Sequence, residues 1–243
     1  VMAYEHAYQG VEARKAYFFM GDAMVCMGSG IKAARTQEVR TSVNQCLANG
    51  EVTYGLSGHT YRLTNNLSDK NIDWAYHDNV GYIFPQNESV TLRKAKQTGA
   101  WRELEVTASD KPVTKEIFSL WVSHGTTPQH EDYCYIIMPD KPLSYFTDKK
   151  FENEIKIIVN SEQIQAISNE NKRQYAAVFY EPGEIRFAED LVVAVNKKVI
   201  IYIEKKDKQY EIAVADPLYK EQSLQLSMNG EQINIVFPSG DYS

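Results

Sequence analysis

The sequence predicts an all-β, antiparallel protein. Apolar and polar residues alternate with a period of two through most of the chain, and turn-forming pairs break the alternation at short intervals. Composition agrees, because 16 Tyr, 9 Phe and 3 Trp, with Val and Ile throughout, suit pleated, half-buried surfaces. Many short strands with almost no helix imply a sandwich or barrel. With 43% hydrophobic content, 243 residues can bury one large core or two smaller ones.

Residues 14–20 and 23–27 read as the first two strands, joined by Gly21-Asp22. Gly28-Ser29-Gly30 reads as a second turn. It does not read as a phosphate loop: no Lys follows at P-loop spacing and no third glycine completes a dinucleotide fingerprint. The residues beyond it alternate, with Val39, Thr41, Val43, Gln45 and Leu47 against Arg40, Ser42, Asn44 and Cys46. That predicts a strand over 37–47, not a helix whose N–H groups could meet a phosphate.

Asn49-Gly50 predicts a type I′ hairpin, which needs positive φ at both central residues. Strands follow at 52–54, 60–63, 72–77, 81–84, 89–94, 116–123 and 133–138, and "LSYFTDKKFEN" (143–153) is a helical candidate. From about residue 154 the strands shorten and Lys, Glu and Gln rise, so a domain boundary is placed near 150, just beyond Pro139 and Pro142. This divides the chain into domains 1–150 and 151–243. The second holds strands at 155–159, 163–167, 176–179, 191–195, 198–204, 209–215, 223–228 and 232–236. "EKKDKQ" (204–209) is a charged hairpin tip and Asn229-Gly230 a second type I′ signal.

The net charge of −6 argues against a nucleic-acid partner and gives no global attraction to an anionic polymer. An acidic ligand needs a local basic patch, for which "LRKAK" (92–96), with Arg93 and Lys94, is the best candidate; the competing reading is a solvated strand face. No run approaches the roughly 20 apolar residues of a membrane span. Cys26, Cys46 and Cys134 are too widely spaced for a zinc module, and read either as buried hydrophobes or as one Cys26–Cys46 disulfide. The opening "VMAYEHAYQGV" has neither a leading Met nor a signal-peptide pattern, so the chain is expected to be an internal piece of a longer polypeptide. On that reading the strand at 14–20 should show an unpaired sheet edge or be covered by a neighbouring molecule.

His77-Asp78 invites a catalytic or metal reading, but adjacent strand residues point to opposite faces. His124 ends a strand at a Gly turn, His130-Glu131-Asp132 lacks a second histidine at zinc spacing, and His6 and His59 have no partners in sequence. No G-x-S-x-G nucleophile elbow occurs, and no carboxylate pair stands out. Trp121, inside "IFSLWV", reads as core; Trp74 and Trp101 lie nearer loops and are candidates to stack on sugar rings.

Several stretches together then resemble a known family. "ARKAYFFMGDAMVCMGSGI", "VRTSVNQCLANGEV", "WAYHDNVGYIFP" and "FSLWVSHGTTPQHEDYCYIIMP" are similar to the β-sandwich region of the polysaccharide lyases acting on chondroitin, hyaluronan and xanthan. "YAAVFYEPGEIRF" and "YEIAVADP" resemble the small C-terminal β-domain of those enzymes. The resemblance implies part of an antiparallel super-sandwich followed by a small C-terminal β-sandwich, in a secreted or periplasmic enzyme that also has an N-terminal helical domain. It implies β-elimination at uronic acids, with the catalytic Tyr, His, Asn and Arg in the helical domain. No catalytic residue is transferred to this chain, which is expected to be inactive alone. Substrate contact is assigned to Trp74, Trp101, Arg93 and Lys94, with an acidic polysaccharide met through the full enzyme. Neither a membrane partner nor a cofactor is expected, and calcium in the parent enzyme is left open. The rival reading is a stand-alone carbohydrate-binding or adhesin module.

Overall fold

Alternation becomes strand pairing along nearly the whole chain. The structure, a computed structural model, describes residues 1–34, 36–152, 154–207 and 209–238. Among the described residues strands take 60% and helix 3%, far below the ordinary third. The strands are β1 (Met2–Tyr8), β2 (Val11–Met20), β3 (Ala23–Ala33), β4 (Arg40–Leu47), β5 (Thr53–Leu56), β6 (His59–Arg62), β7 (Leu67–Asp69) and β8 (Ile72–His77). Next come β9 (Val80–Ile83), β10 (Val90–Gly99), β11 (Val113–Ser123), β12 (Glu131–Pro139) and the helix α1 (Leu143–Thr147). The remainder are β13 (Lys156–Asn160), β14 (Ile164–Asn169), β15 (Gln174–Phe179), β16 (Gly183–Ala188), β17 (Leu191–Val195), β18 (Val199–Lys206), β19 (Gln209–Ala215), β20 (Ser223–Met228) and β21 (Glu231–Val236).

Among the described residues four sheets result, with orders β1-β2-β3-β12-β9-β8-β5-β6, β4-β11-β10-β7, β13-β14-β15-β18-β19 and β16-β17-β20-β21. Two compact units divide the chain. One takes residues 33–128 and 135–148; the other takes 1–32, 129–134 and the chain from 149 onward.

In the unit built on residues 33–128, Val90, Leu92, Phe118, Leu120 and Val122 point to one face of β10 and β11 and are buried. Trp74, Tyr82 and Ile83 of β8 and β9 are buried too. Phe146 of α1 is fully buried, with ring centroids 6.0 Å from Trp74 and 5.5 Å from Tyr76. The helical candidate over 143–153 thus shortens to one turn that delivers a single aromatic; Asn153 lies outside the described residues.

In the other unit the core lies between the last two sheets. Ala177, Phe179, Ile201 and Ile203 meet Phe187, Leu191, Val193, Leu224 and Leu226. Residues from the beginning of the chain join this unit through polar contacts. Asn160 Nδ2 donates to the carbonyls of Gly28 and Tyr133, both at 3.1 Å. Ser29 Oγ donates to Ser161 O at 2.9 Å, and Arg14 donates to the Glu162 carbonyl.

Three expectations are corrected. Gly28-Ser29-Gly30 is not a turn: β3 runs through it to Ala33. Gly28 leaves room for the Tyr133 ring, which a Cβ there would strike, and Gly30 takes φ 60° inside the strand. Asn49-Gly50 is not a hairpin, because β4 and β5 belong to different sheets and only Gly50 of the pair has positive φ. The strand at 14–20 is not an edge; β1 pairs along it from Met2↔Tyr17 to Tyr8↔Val11. The expected hairpins at Asn229-Gly230 and over 204–209 are present, Lys208 lying outside the described residues. Strands β1, β7 and β16 are additions to the sequence reading.

Candidate functional site

The outward face of β4, β11 and β10 carries a shallow groove of about 270 Å³. Alternation builds it. Since Phe118, Leu120 and Val122 point inward, Ser119 and Trp121 must point out. Antiparallel register then sets Ser119 between Gln45 and Arg93, and Trp121 between Ser42 and Thr91. A register shift between Leu120 and Trp121 separates the two rows.

Arg40 is stacked over the Trp121 indole, its guanidinium carbon 4.7 Å from the ring centroid. Glu38 holds it there, accepting from Arg40 Nε at 2.6 Å and also from the Ser123 hydroxyl. These bonds, Arg40's first, keep the Glu38 carboxyl below its ordinary pKa. The groove lining includes two guanidinium groups and no carboxylate. It also contains no general base, since arginine stays protonated and amides and hydroxyls do not take up a proton at ordinary pH. The groove can bind, but it cannot perform acid–base chemistry.

The residues singled out from sequence fare differently. Arg93 is exposed and lines the groove. Lys94 points to the opposite face, where Nζ donates to Gly50 O at 2.8 Å and pairs with Glu116 at 3.4 Å. Trp101 is 62% exposed on a 3-10 turn (Trp101–Glu103) and is not in the groove lining. Trp74 is 2% exposed, with its indole over Gly55, so its ring is out of reach of a sugar in solvent. Trp121 is the reverse case: read as core, it is half-buried at the groove. The signal was present in "FSLWVS", where Trp121 shares its parity with two serines.

The histidines have structural work. His77 is 1% exposed and accepts the Asn49 N–H on Nε2 at 3.0 Å. Asp78 turns away and bonds Asn49 Nδ2 at 2.9 Å, so the adjacent pair does not act together. His124 Nε2 lies 2.8 Å from Thr41 Oγ1, and His130 Nδ1 lies 2.9 Å from Glu162 Oε1. Among the described residues no three His, Cys, Asp or Glu side chains gather into a metal-binding group, and no disulfide joins the cysteines. No helix among the described residues is long and apolar enough to cross a membrane.

Comparison with known proteins decides the family. Residues 1–150 match the super-sandwich domain of polysaccharide lyase family 8, and residues 156–225 match that family's C-terminal β-sandwich domain. The chain belongs to polysaccharide lyase family 8. Among family members, a chondroitinase-AC of Pedobacter heparinus is 29% identical over 252 aligned residues, covering 99% of this chain and 35% of that enzyme. A hyaluronate lyase of Thermasporomyces composti is 24% identical, covering 93% of this chain and 29% of that enzyme. The structure of a chondroitinase AC lyase superposes with a TM-score of 0.90 at 28% identity, over 98% of this chain and 36% of its own. A Paenibacillus xanthan lyase, at 21% identity and a TM-score of 0.81, shares the fold. This family 8 chain therefore spans about a third or less of the length of these relatives. Its longest described helix has five residues, so the helical domain in which the resemblance places the catalytic groups is not among the described residues.

Proposed function

We propose that this chain is the non-catalytic β-portion of a secreted or periplasmic lyase acting on an acidic glycosaminoglycan, chondroitin sulfate or hyaluronan. Residues 1–150 serve as the super-sandwich part and 151–243 as the small terminal sandwich. Support comes from the two family domains matching in order along one chain. In the reaction a base removes the C5 proton of a uronic acid whose carboxylate is neutralised. The electron pair forms the C4–C5 double bond, the C4–O bond breaks, and the leaving oxygen takes a proton. The β-portion contributes rigid loops that help enclose the polymer, since excluding water strengthens each contact to the developing charge.

The test is direct, because each cleavage creates a conjugated double bond that absorbs in the ultraviolet. The purified chain should give no rising absorbance with chondroitin or hyaluronan, and a longer chain carrying the helical domain should give it. Removing a positioned base or a charge-stabilising donor typically costs about 10²–10⁴ in rate. Sustained product from this chain alone, abolished by changing His77 or His124, would place a lyase site within these sheets and overturn the proposal.

A further inference from the structure

We propose that the groove over β4, β11 and β10 binds an acidic saccharide chain, with Arg93 meeting the anionic group and Trp121 meeting a sugar ring. The ligand class rests on the lyase reading above; the site itself rests on its geometry. The whole chain carries −6, yet the groove lining combines Arg40 and Arg93 with no acid. Arg93 is exposed and forms no ion pair with a described carboxylate, so its planar fork is open to a carboxylate or sulfate.

Arg40 is differently employed. Glu38 already neutralises it, and its guanidinium lies over one face of the Trp121 ring. Around the two arginines stand Ser42, Gln45, Gln97 and Ser119, neutral groups that can both donate and accept. Such a set suits sugar hydroxyls better than a bare anion, which would leave the acceptor oxygens of the amides facing like charge. The part of the half-buried indole that Arg40 does not cover supplies the apolar surface that the C–H face of a sugar needs.

The experiment follows the indole N–H signals of the ¹⁵N-labelled chain during titration with a chondroitin sulfate hexasaccharide. A neutral hexasaccharide and inorganic sulfate serve as comparisons. The Trp121 signal should shift with the acidic oligosaccharide while buried Trp74 stays still, and affinity should fall as salt rises. Arg93→Gln should weaken binding about tenfold, the loss expected of one charge-assisted contact. Trp121→Phe, which keeps an aromatic on the strand but loses the reporting indole and is therefore followed by titration calorimetry, should weaken it as well, whereas Lys220→Gln, an exposed cation in the other unit, should leave it unchanged.

Equal losses in Arg93→Gln and Lys220→Gln would mean diffuse charge attraction and overturn the proposal. So would the same Trp121 shift with inorganic sulfate alone, or no shift at Trp121. Binding at Trp121 with no lyase activity in any longer chain would preserve this inference and sink the proposed function. Lyase activity without binding at Trp121 would do the opposite.

Discussion

The imidazole of His77 is held neutral by what surrounds it. Its Nε2 accepts the Asn49 N–H, which leaves the proton on Nδ1, 3.7 Å from Cys46 Sγ, and the Phe118 ring centre lies 4.6 Å away. Charging it would bury a cation away from water and turn the acceptor of Asn49 into a second donor. Burial accordingly lowers its pKa below the ordinary 6.5, with Asp78 opposing and Lys94 assisting. Because the unfolded chain takes up this proton more readily, the stabilisation is fully present above about pH 6.5 and is lost as pH falls through the depressed folded value. Urea unfolding above and below that range should therefore show wild type losing more stability on acidification than His77→Gln. At neutral pH, His77→Ala should cost about 1–3 kcal/mol, because a buried ring leaves a cavity and the Asn49 N–H loses its acceptor. A pH response identical in wild type and His77→Gln would show that the imidazole is already solvated.

Two-residue turns set the register of several hairpins, and most of them lack the sequence that advertises the geometry. Gln9-Gly10, Ser57-Gly58, Asp78-Asn79 and Asn229-Gly230 all have positive φ at both positions and join directly paired strands. Ser57, at φ 49° and exposed, occupies a conformation that costs an ordinary L-residue about 1–2 kcal/mol and asparagine less. Ser57→Asn should raise the melting temperature by an amount equivalent to a few tenths to about 1 kcal/mol, and Ser57→Val should lower it. If calorimetry finds the two variants equal, the turn is not under this strain. The same turns mark the limit of reading the sequence. Alternation gave most strands, and Asn229-Gly230 was plain, but Asp78-Asn79 and Ser57-Gly58 adopt the turn under the pull of the strands on either side. β1 places Met2, Tyr4 and Tyr8 on one face, but they are exposed, so its alternation does not mark a core-facing strand. The groove was half legible: Arg93 stood out in "LRKAK", and strand parity could have turned Trp121 outward. What no local pattern contains is the pairing of β4 with β11, some 70 residues later, which brings Gln45 and Ser42 beside them.

At the scale of the whole chain, the extent of the second compact unit matters more than the order of the domains. Residues 1–32 and 129–134 belong to the same unit as the chain from 149 onward. Their union is made by side chains that face inward. Gln165 is fully buried; its Oε1 accepts from Tyr180 at 2.8 Å, and its Nε2 donates to Asn160 Oδ1 at 2.8 Å and to Ser29 Oγ at 3.4 Å. Asn160 in turn holds the Gly28 and Tyr133 carbonyls, and Arg14 lies 5.2 Å from the Tyr180 ring centre. A piece beginning at residue 150 retains the apolar core between its own two sheets but loses every one of the bonds to Arg14, Gly28, Ser29 and Tyr133. Each is worth about 0.5–1.5 kcal/mol net, and the polar groups left behind must take water in place of protein. Against a typical domain stability of about 5–15 kcal/mol, five such bonds are a decisive share. The piece should therefore unfold at a clearly lower denaturant midpoint than the second unit within the intact chain, followed by amide exchange at Ile201 and Ile203. The substitution Asn160→Ala in the intact chain should reproduce part of that loss, about 1–3 kcal/mol, by removing the side chain that donates to the Gly28 and Tyr133 carbonyls. An unchanged midpoint in both experiments would mean that the terminal sandwich stands by itself and that the polar seam from Arg14 to Tyr180 adds nothing to its stability.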